Sequence, residues 1–129
     1  MNLATMVDDH PSDAVAFISR GRTTTYGELR EQVARLRGGL VGLGLEPGDR
    51  LAIACGNNWY FASAYLAGLG AGLIVVPLNP SAPAPELARH LAHTGARALV
   101  VGPSATASVA ELDRDDLPEL EHVVAVRAE

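Results

Sequence analysis

The chain has 129 residues, 48% of them hydrophobic, which is the material for one buried core in one domain or part of one. Its net charge is −5, and all of the excess sits at one end: residues 111–129 carry seven acidic and two basic groups, against eight of each in residues 1–110. This argues against a nucleic-acid partner, which needs a basic surface, and the absence of any lysine closes the chain to chemistry that needs a side-chain amine.

Residues 1–13 read as a leader that is loose or briefly helical. Asp8, Asp9 and Asp13, with no cationic stretch before them, argue against a signal peptide. Ala14 to Ser19 has strand character, Arg20-Gly21-Arg22 is a turn, and Thr23 to Thr25 returns as a second strand, giving a hairpin. Thr25 and Glu28 then form a capping box that opens a helix of about 18 residues. Its apolar stripe is Leu29, Val33, Leu36, Leu40 and Leu43, and Gly44 is its left-handed stop.

Leu51 to Cys55 is a short apolar run, read as a buried strand. Gly56-Asn57-Asn58 follows as a turn, with an Asn as N-cap of the next helix. Trp59 to Gly72 is apolar nearly all round and rich in Ala and Gly, so it reads as a helix buried on most sides and packed close to its neighbours. The apolar stretch around Phe61 to Pro77 reads better as helix plus strand than as a membrane span. Leu73 to Val76 is expected as a second buried strand. Pro80–Pro85 has linker character, as does Pro103–Ser108. Pro85 fits the first turn of a helix with a stripe of Leu87, Leu91 and Ala88 or Ala92, closed by Gly95. Ala98 to Val101 is a third strand, the segment from Ser104 is a candidate helix, the acidic run is a solvated helix and loop, and His122 to Val126 is a fourth strand. This alternation predicts an α/β fold: a parallel sheet with helices on its faces and a short N-terminal β-hairpin.

No residue in the chain stands out as catalytic, cofactor-binding or metal-binding. Gly68, Gly70 and Gly72 have the wrong spacing for a dinucleotide fingerprint and precede a strand instead of following one. Gly56-Asn57-Asn58 does follow a strand and open a helix, so its amides could meet an anion, although a capping Asn explains the sequence equally well. His90 and His93 share a helix face, but no third metal ligand lies nearby in sequence. His10 and His122 have no evident partner. Cys55, the only cysteine, lies in an apolar run and reads as an inert buried thiol. It has no intrachain disulfide partner and fits a reducing cytoplasm. Asp115-Asp116 offers no acid/base asymmetry, and Trp59 is expected in the core.

Several phrases stand in a fixed order: Thr25-Tyr26-Gly27-Glu28-Leu29, Gly48-Asp49-Arg50, Asn57 or Asn58, Gly70-Ala71, Val76-Pro77-Leu78-Asn79-Pro80, Glu86-Leu87 and Gly95-Ala96. In this order the chain resembles the N-terminal segment of the adenylate-forming acyl-CoA synthetases, over about residues 14–101. The resemblance implies a parent enzyme that uses ATP, Mg²⁺ and coenzyme A to convert a carboxylate to an acyl-adenylate and then to acyl-CoA. The phosphate loop, the acidic ribose-binding motif and the C-terminal lysine of those enzymes have no counterpart here. Residues 14–129 are therefore expected to be the N-terminal α/β subdomain, cut before the catalytic motifs and inactive alone. Its expected partners are the rest of the polypeptide, a fatty acid as the parent's substrate and, through exposed apolar surface, a second copy. Asn79, and Ala82-Pro83-Ala84 where an aromatic is often found, tilt the resemblance toward fatty-acyl ligases. The alternatives are an aryl- or amino-acid-activating adenylation domain, and a free-standing binding or scaffold module.

Overall fold

The architecture follows from how Leu51 to Cys55 alternates. Leu51, Ile53 and Cys55 share one core, whereas Ala52 and Ala54 belong to another. A strand whose two faces enter separate cores must lie in a sheet covered on both sides. The structure, a computed structural model, describes residues 1–126.

The strands are β1 (Val15–Ser19), β2 (Arg22–Thr25), β3 (Arg50–Ala54), β4 (Ile74–Pro77), β5 (Ala98–Val101) and β6 (His122–Ala125). The helices are α1 (Tyr26–Gly42), α2 (Trp59–Gly70), α3 (Ala84–Thr94) and α4 (Thr106–Ala110), with single 3₁₀ turns at Leu3–Val7, Pro103–Ala105 and Arg114–Asp116. β1 and β2 pair antiparallel, and the other strands form a parallel sheet in the order β4-β3-β5-β6. One core joins Leu40 of α1 and Ala64 and Ala67 of α2 to the Leu51 face of the sheet. The other joins Leu87 and Leu91 of α3, together with Ala105, Leu117 and Leu120, to the Ala52 face. A smaller core ties the leader to the rest through Val7, Leu29 and Leu66, so the first residues are docked.

α1 starts where Thr25 Oγ1 accepts from the Glu28 amide at 3.2 Å, which satisfies one of the open amides of its first turn. α2 has no exposed residue. Its backbone approaches the sheet so closely that a β-carbon at Gly68 would lie 2.7 Å from Val75 Cγ2 and 2.9 Å from Leu51 Cδ2. Gly95, at φ +64, ends α3 in the left-handed conformation.

Three expectations are corrected. Leu43 does not extend the stripe of α1. The helix ends at Gly42, Leu43 is 39% exposed, and Gly44 at φ +90 turns the chain so that Leu45 enters the core with Leu40. The strand after α2 is a sheet edge and not a buried strand, because β4 pairs only with β3 and leaves Ile74 49% exposed. Pro80–Pro85 and Pro103–Ser108 are not linkers: Ala82, Ala84 and Ala105 are buried, and Ala105 packs in the core on the Ala52 face of the sheet. In α3, Ala88 is half-buried and Ala92 is exposed. The end of the chain at Arg127-Ala128-Glu129 lies outside the described residues.

Candidate functional site

The strand order creates one special place. β3 leads into α2 on one face of the sheet, while β5 leads toward α4 on the other. The chain therefore parts between the carboxyl ends of β3 and β5, and such a switch point leaves a crevice suited to ligands. Here the crevice measures about 600 Å³. Gly56, Asn57 and Asn58 wall it after β3, and Pro103 and Ser104 after β5. Pro80 and Ser81, which follow β4, also line it, and the hairpin contributes Ser19, Arg20 and Arg22 from far back in the sequence.

Local interactions hold these walls. Asn58 caps α2, its Oδ1 accepting from the Phe61 amide at 3.2 Å. Asn79 Oδ1 accepts from the Ser81 amide at 2.9 Å, fixing the turn after β4. The hairpin closes in two residues, Arg20 at φ +52 and Gly21 at φ +77, both left-handed. That is the type I′ pattern, in which Asn or Gly is usual at the first position and a long side chain is not. The Arg22 guanidinium lies 5.0 Å from the centroid of the Trp59 ring. Among the described residues the lining contains two guanidiniums, several hydroxyls, the Asn side chains and no carboxylate. Such donors can receive an anion and are a poor match for a metal cation.

The residues weighed from the sequence scatter over the fold. Trp59 is not in the core; it is half-buried at the crevice, tilted against Tyr60. Asn57 and Asn58 do reach the site. Cys55 is buried just beneath, beside Gly102, and burial pushes its thiol pKa up. His90 and His93 line a separate groove of about 480 Å³ beside β4, with Arg89 and Val76. Among the described residues no three His, Cys, Asp or Glu side chains gather as a metal site. Asp115 and Asp116 lie in a 3₁₀ turn, where Asp113 Oδ1 accepts from the Asp115 amide. His10 stacks on Tyr26 with ring centroids 4.2 Å apart, and His122 Nε2 lies 3.8 Å from Glu121 Oε2. Gly68 packs on the sheet, Gly70 stands against Arg37, and Gly72 against Pro47.

Asp49, of the Gly-Asp-Arg phrase, lies before β3, at the far end of the sheet from the crevice. Its carboxylate accepts from the Glu46 amide and from Arg97 Nη1, both at 2.7 Å. Those bonds hold its pKa below the ordinary carboxylate value. Arg97 also donates to Gly44 O at 2.8 Å and to Glu121 Oε2 at 3.0 Å. One guanidinium thus clamps the segments that lead into β3, β5 and β6.

Residues 3–129 match the AMP-binding enzyme family. The chain belongs to that family. This AMP-binding chain is 40% identical over 119 residues to the 7a-methyl-1,5-dioxo-octahydro-1H-inden-4-yl propanoyl:CoA ligase of Mycobacterium tuberculosis, covering 91% of the chain and 24% of the relative. It is 39% identical over 99 residues to a feruloyl-CoA synthase of Amycolatopsis, covering 77% of the chain and 20% of the relative. In fold it superposes on an anthranilate CoA ligase crystallised with anthranoyl-AMP. That match has a TM-score of 0.91 at 22% identity, over 98% of this chain and 25% of the other. The chain therefore spans about a quarter or less of the length of the curated relatives it matches. The fold expected from the sequence is the one found: a parallel four-stranded sheet flanked by helices, with a short antiparallel hairpin. No helix among the described residues is long and apolar enough to cross a membrane.

Proposed function

We propose that this AMP-binding chain is the N-terminal part of an ATP-dependent acid–thiol ligase. The whole protein would join a fatty acid to coenzyme A through an acyl-adenylate, with Mg²⁺, in the cytoplasm. The observation that carries the ligase reading is 40% identity, over nearly the whole chain, to an indenyl-propanoyl:CoA ligase. Asn79 and the Ala82-Pro83-Ala84 segment support the fatty-acyl choice. A second reading, a cyclic or aromatic carboxylate, is favoured by the indenyl-propanoyl and feruloyl names of the two relatives.

The chain's own residues contribute scaffold and one wall of a crevice. The crevice has donors for phosphate oxygens and no carboxylate for a metal, so no residue here is assigned to Mg²⁺. Stabilising charge on a phosphoryl group in transfer needs positioned cations on several sides. Arginines on one wall do not supply that arrangement. The 129-residue chain alone is thus expected to form no adenylate and to have no micromolar site for Mg-ATP, which calorimetric titration would test.

The decisive assay is pyrophosphate release by the whole protein with a panel of fatty, aryl, cyclic and amino acids, each with and without coenzyme A. Coenzyme A-dependent turnover of fatty acids is expected. Turnover confined to ring-bearing acids would replace the substrate class and leave the ligase reading standing. Turnover of amino acids alone, or turnover independent of coenzyme A, would refute the assignment.

A further inference from the structure

The hairpin stands apart from the sheet whose crevice it lines. Among the described residues no backbone hydrogen bond joins residues 1–25 to the parallel sheet. Within residues 1–25 only Val7 and Thr24 are buried, whereas every residue of β5 is buried, as is every residue of β3 after Arg50. An isolated two-stranded hairpin is marginal in water, and Arg20 at φ +52 gives this one an unfavourable turn. What holds residues 1–25 in place must therefore lie outside the hairpin.

The attachments are few. Val7 packs with Leu29 of α1 and Leu66 of α2, and Ala16 and Phe17 lie against that small core. Asn2 Nδ2 donates to Leu69 O at 2.7 Å. The Tyr26 and Gly27 amides donate to Ala14 O and Ser12 O, at the junction with α1. Arg30, in the second turn of α1, spans the leader: Nη1 donates to Val7 O at 2.8 Å and to His10 O at 2.9 Å, and Nη2 to Ser12 Oγ at 2.8 Å. A guanidinium presents its donors in one rigid plane, so a single side chain can hold three points at once. At the other end Arg22 lies over Trp59.

We propose that residues 1–25 form an arm that opens from the domain as one unit, pivoting at the start of α1, with Arg30 as the catch that keeps it closed. A segment with few buried contacts opens at a lower free energy than the sheet beneath it. Opening carries Ser19, Arg20 and Arg22 away from the crevice and uncovers Trp59. The arm thus sets access to the crevice from one side. The proposal needs no ligase activity and stands whatever the crevice receives.

Hydrogen exchange on the 129-residue chain, resolved by residue with NMR and corrected for intrinsic rates, tests it. The protected amides of β1 and β2 are expected to share one opening free energy and to exchange at least about tenfold faster than those of β3 and β5. They should also respond to low urea with a smaller slope, because opening the arm exposes less surface than unfolding the sheet. Arg30→Gln should speed exchange in β1 and β2 by about tenfold or more and leave β3 and β5 within about twofold. It should also raise acrylamide quenching of Trp59, the only tryptophan. Arg35→Gln removes a cation of the same helix whose partner is Glu31, and should change neither the arm nor Trp59. The proposal is overturned if β1 and β2 share the rate and urea slope of β3 and β5, or if their amides show no common opening. It is equally overturned if Arg30→Gln speeds all four strands alike, or leaves the arm and Trp59 as in the parent. Should Arg30→Gln fail to fold, the urea slopes of the parent decide alone.

Discussion

The same substitution, glycine to alanine, should act with opposite sign at two helical positions. In the interior of a helix it gains about 1 kcal/mol from propensity. At Gly39, near the end of α1, an added β-carbon meets nothing within 4 Å, so that gain should appear whole. At Gly68, in α2, the new carbon would stand 2.7 Å from Val75 Cγ2 and 2.9 Å from Leu51 Cδ2. Neither neighbour yields easily: valine is stiff about its first torsion, and Leu51 is fully buried. Overpacking of this kind costs roughly 1–3 kcal/mol, which offsets the propensity gain and leaves a net loss of about 0–2 kcal/mol. The two variants should therefore differ by roughly 1–3 kcal/mol. With a urea slope of about 1.5 kcal/mol/M, their unfolding midpoints would stand roughly 0.7–2 M apart, with Gly39→Ala the higher. Equal stabilisation of both variants at an unchanged slope would refute the close seating of α2 on β3 and β4.

Three further predictions concern the frame. Thr25→Ala should cost about 1 kcal/mol through loss of the cap, and Leu40→Ala about 2–5 kcal/mol by opening a cavity under α1; chemical denaturation giving the reverse order would mean the helix start or its buried face is misplaced. The Asp49 carboxyl is lowered by the Glu46 amide and then by Arg97, so its contribution is present above the unfolded carboxylate pKa of about 3.9 and is lost as pH falls through the folded value. The stability gap between the parent and Asp49→Asn should thus hold steady above about pH 5 and narrow as pH falls below about 4, and a gap that widens toward acid would contradict the clamp. The apolar groove of about 390 Å³ between α1, α2 and β6, together with exposed Ile74, predicts self-association at micromolar concentration; a clean monomer by sedimentation would count against it.

The frame was legible because its signals are local. Thr25 caps the helix that follows it, Gly95 ends the helix that precedes it, and each apolar run of four or five residues found its place in the sheet. The errors arose where a residue's place depends on distant neighbours. Leu73 to Val76 is as apolar as Ala98 to Val101, and only the strand order makes one an edge and the other a centre. Leu43 fits the period of its helix, but the period ends one residue too soon for it.

The crevice was illegible for a stronger form of the same reason. Its lining comes from four separate stretches, around Arg20, Asn57, Ser81 and Ser104, and no window of sequence contains two of them. Of the phrases that carried the family resemblance, Asn57, Asn58 and Pro80 line the crevice, whereas Thr25 and Gly95 bound helices and Asp49 anchors Arg97 at the opposite end of the sheet. Such phrases can identify a family without touching a ligand. Loops between such frame elements tolerate change and are where binding residues commonly lie. Arg20 shows the distinction most clearly. The turn it occupies would be better served by asparagine or glycine, so the frame does not account for its side chain, and its place on the crevice wall was visible only once the hairpin was folded against the sheet.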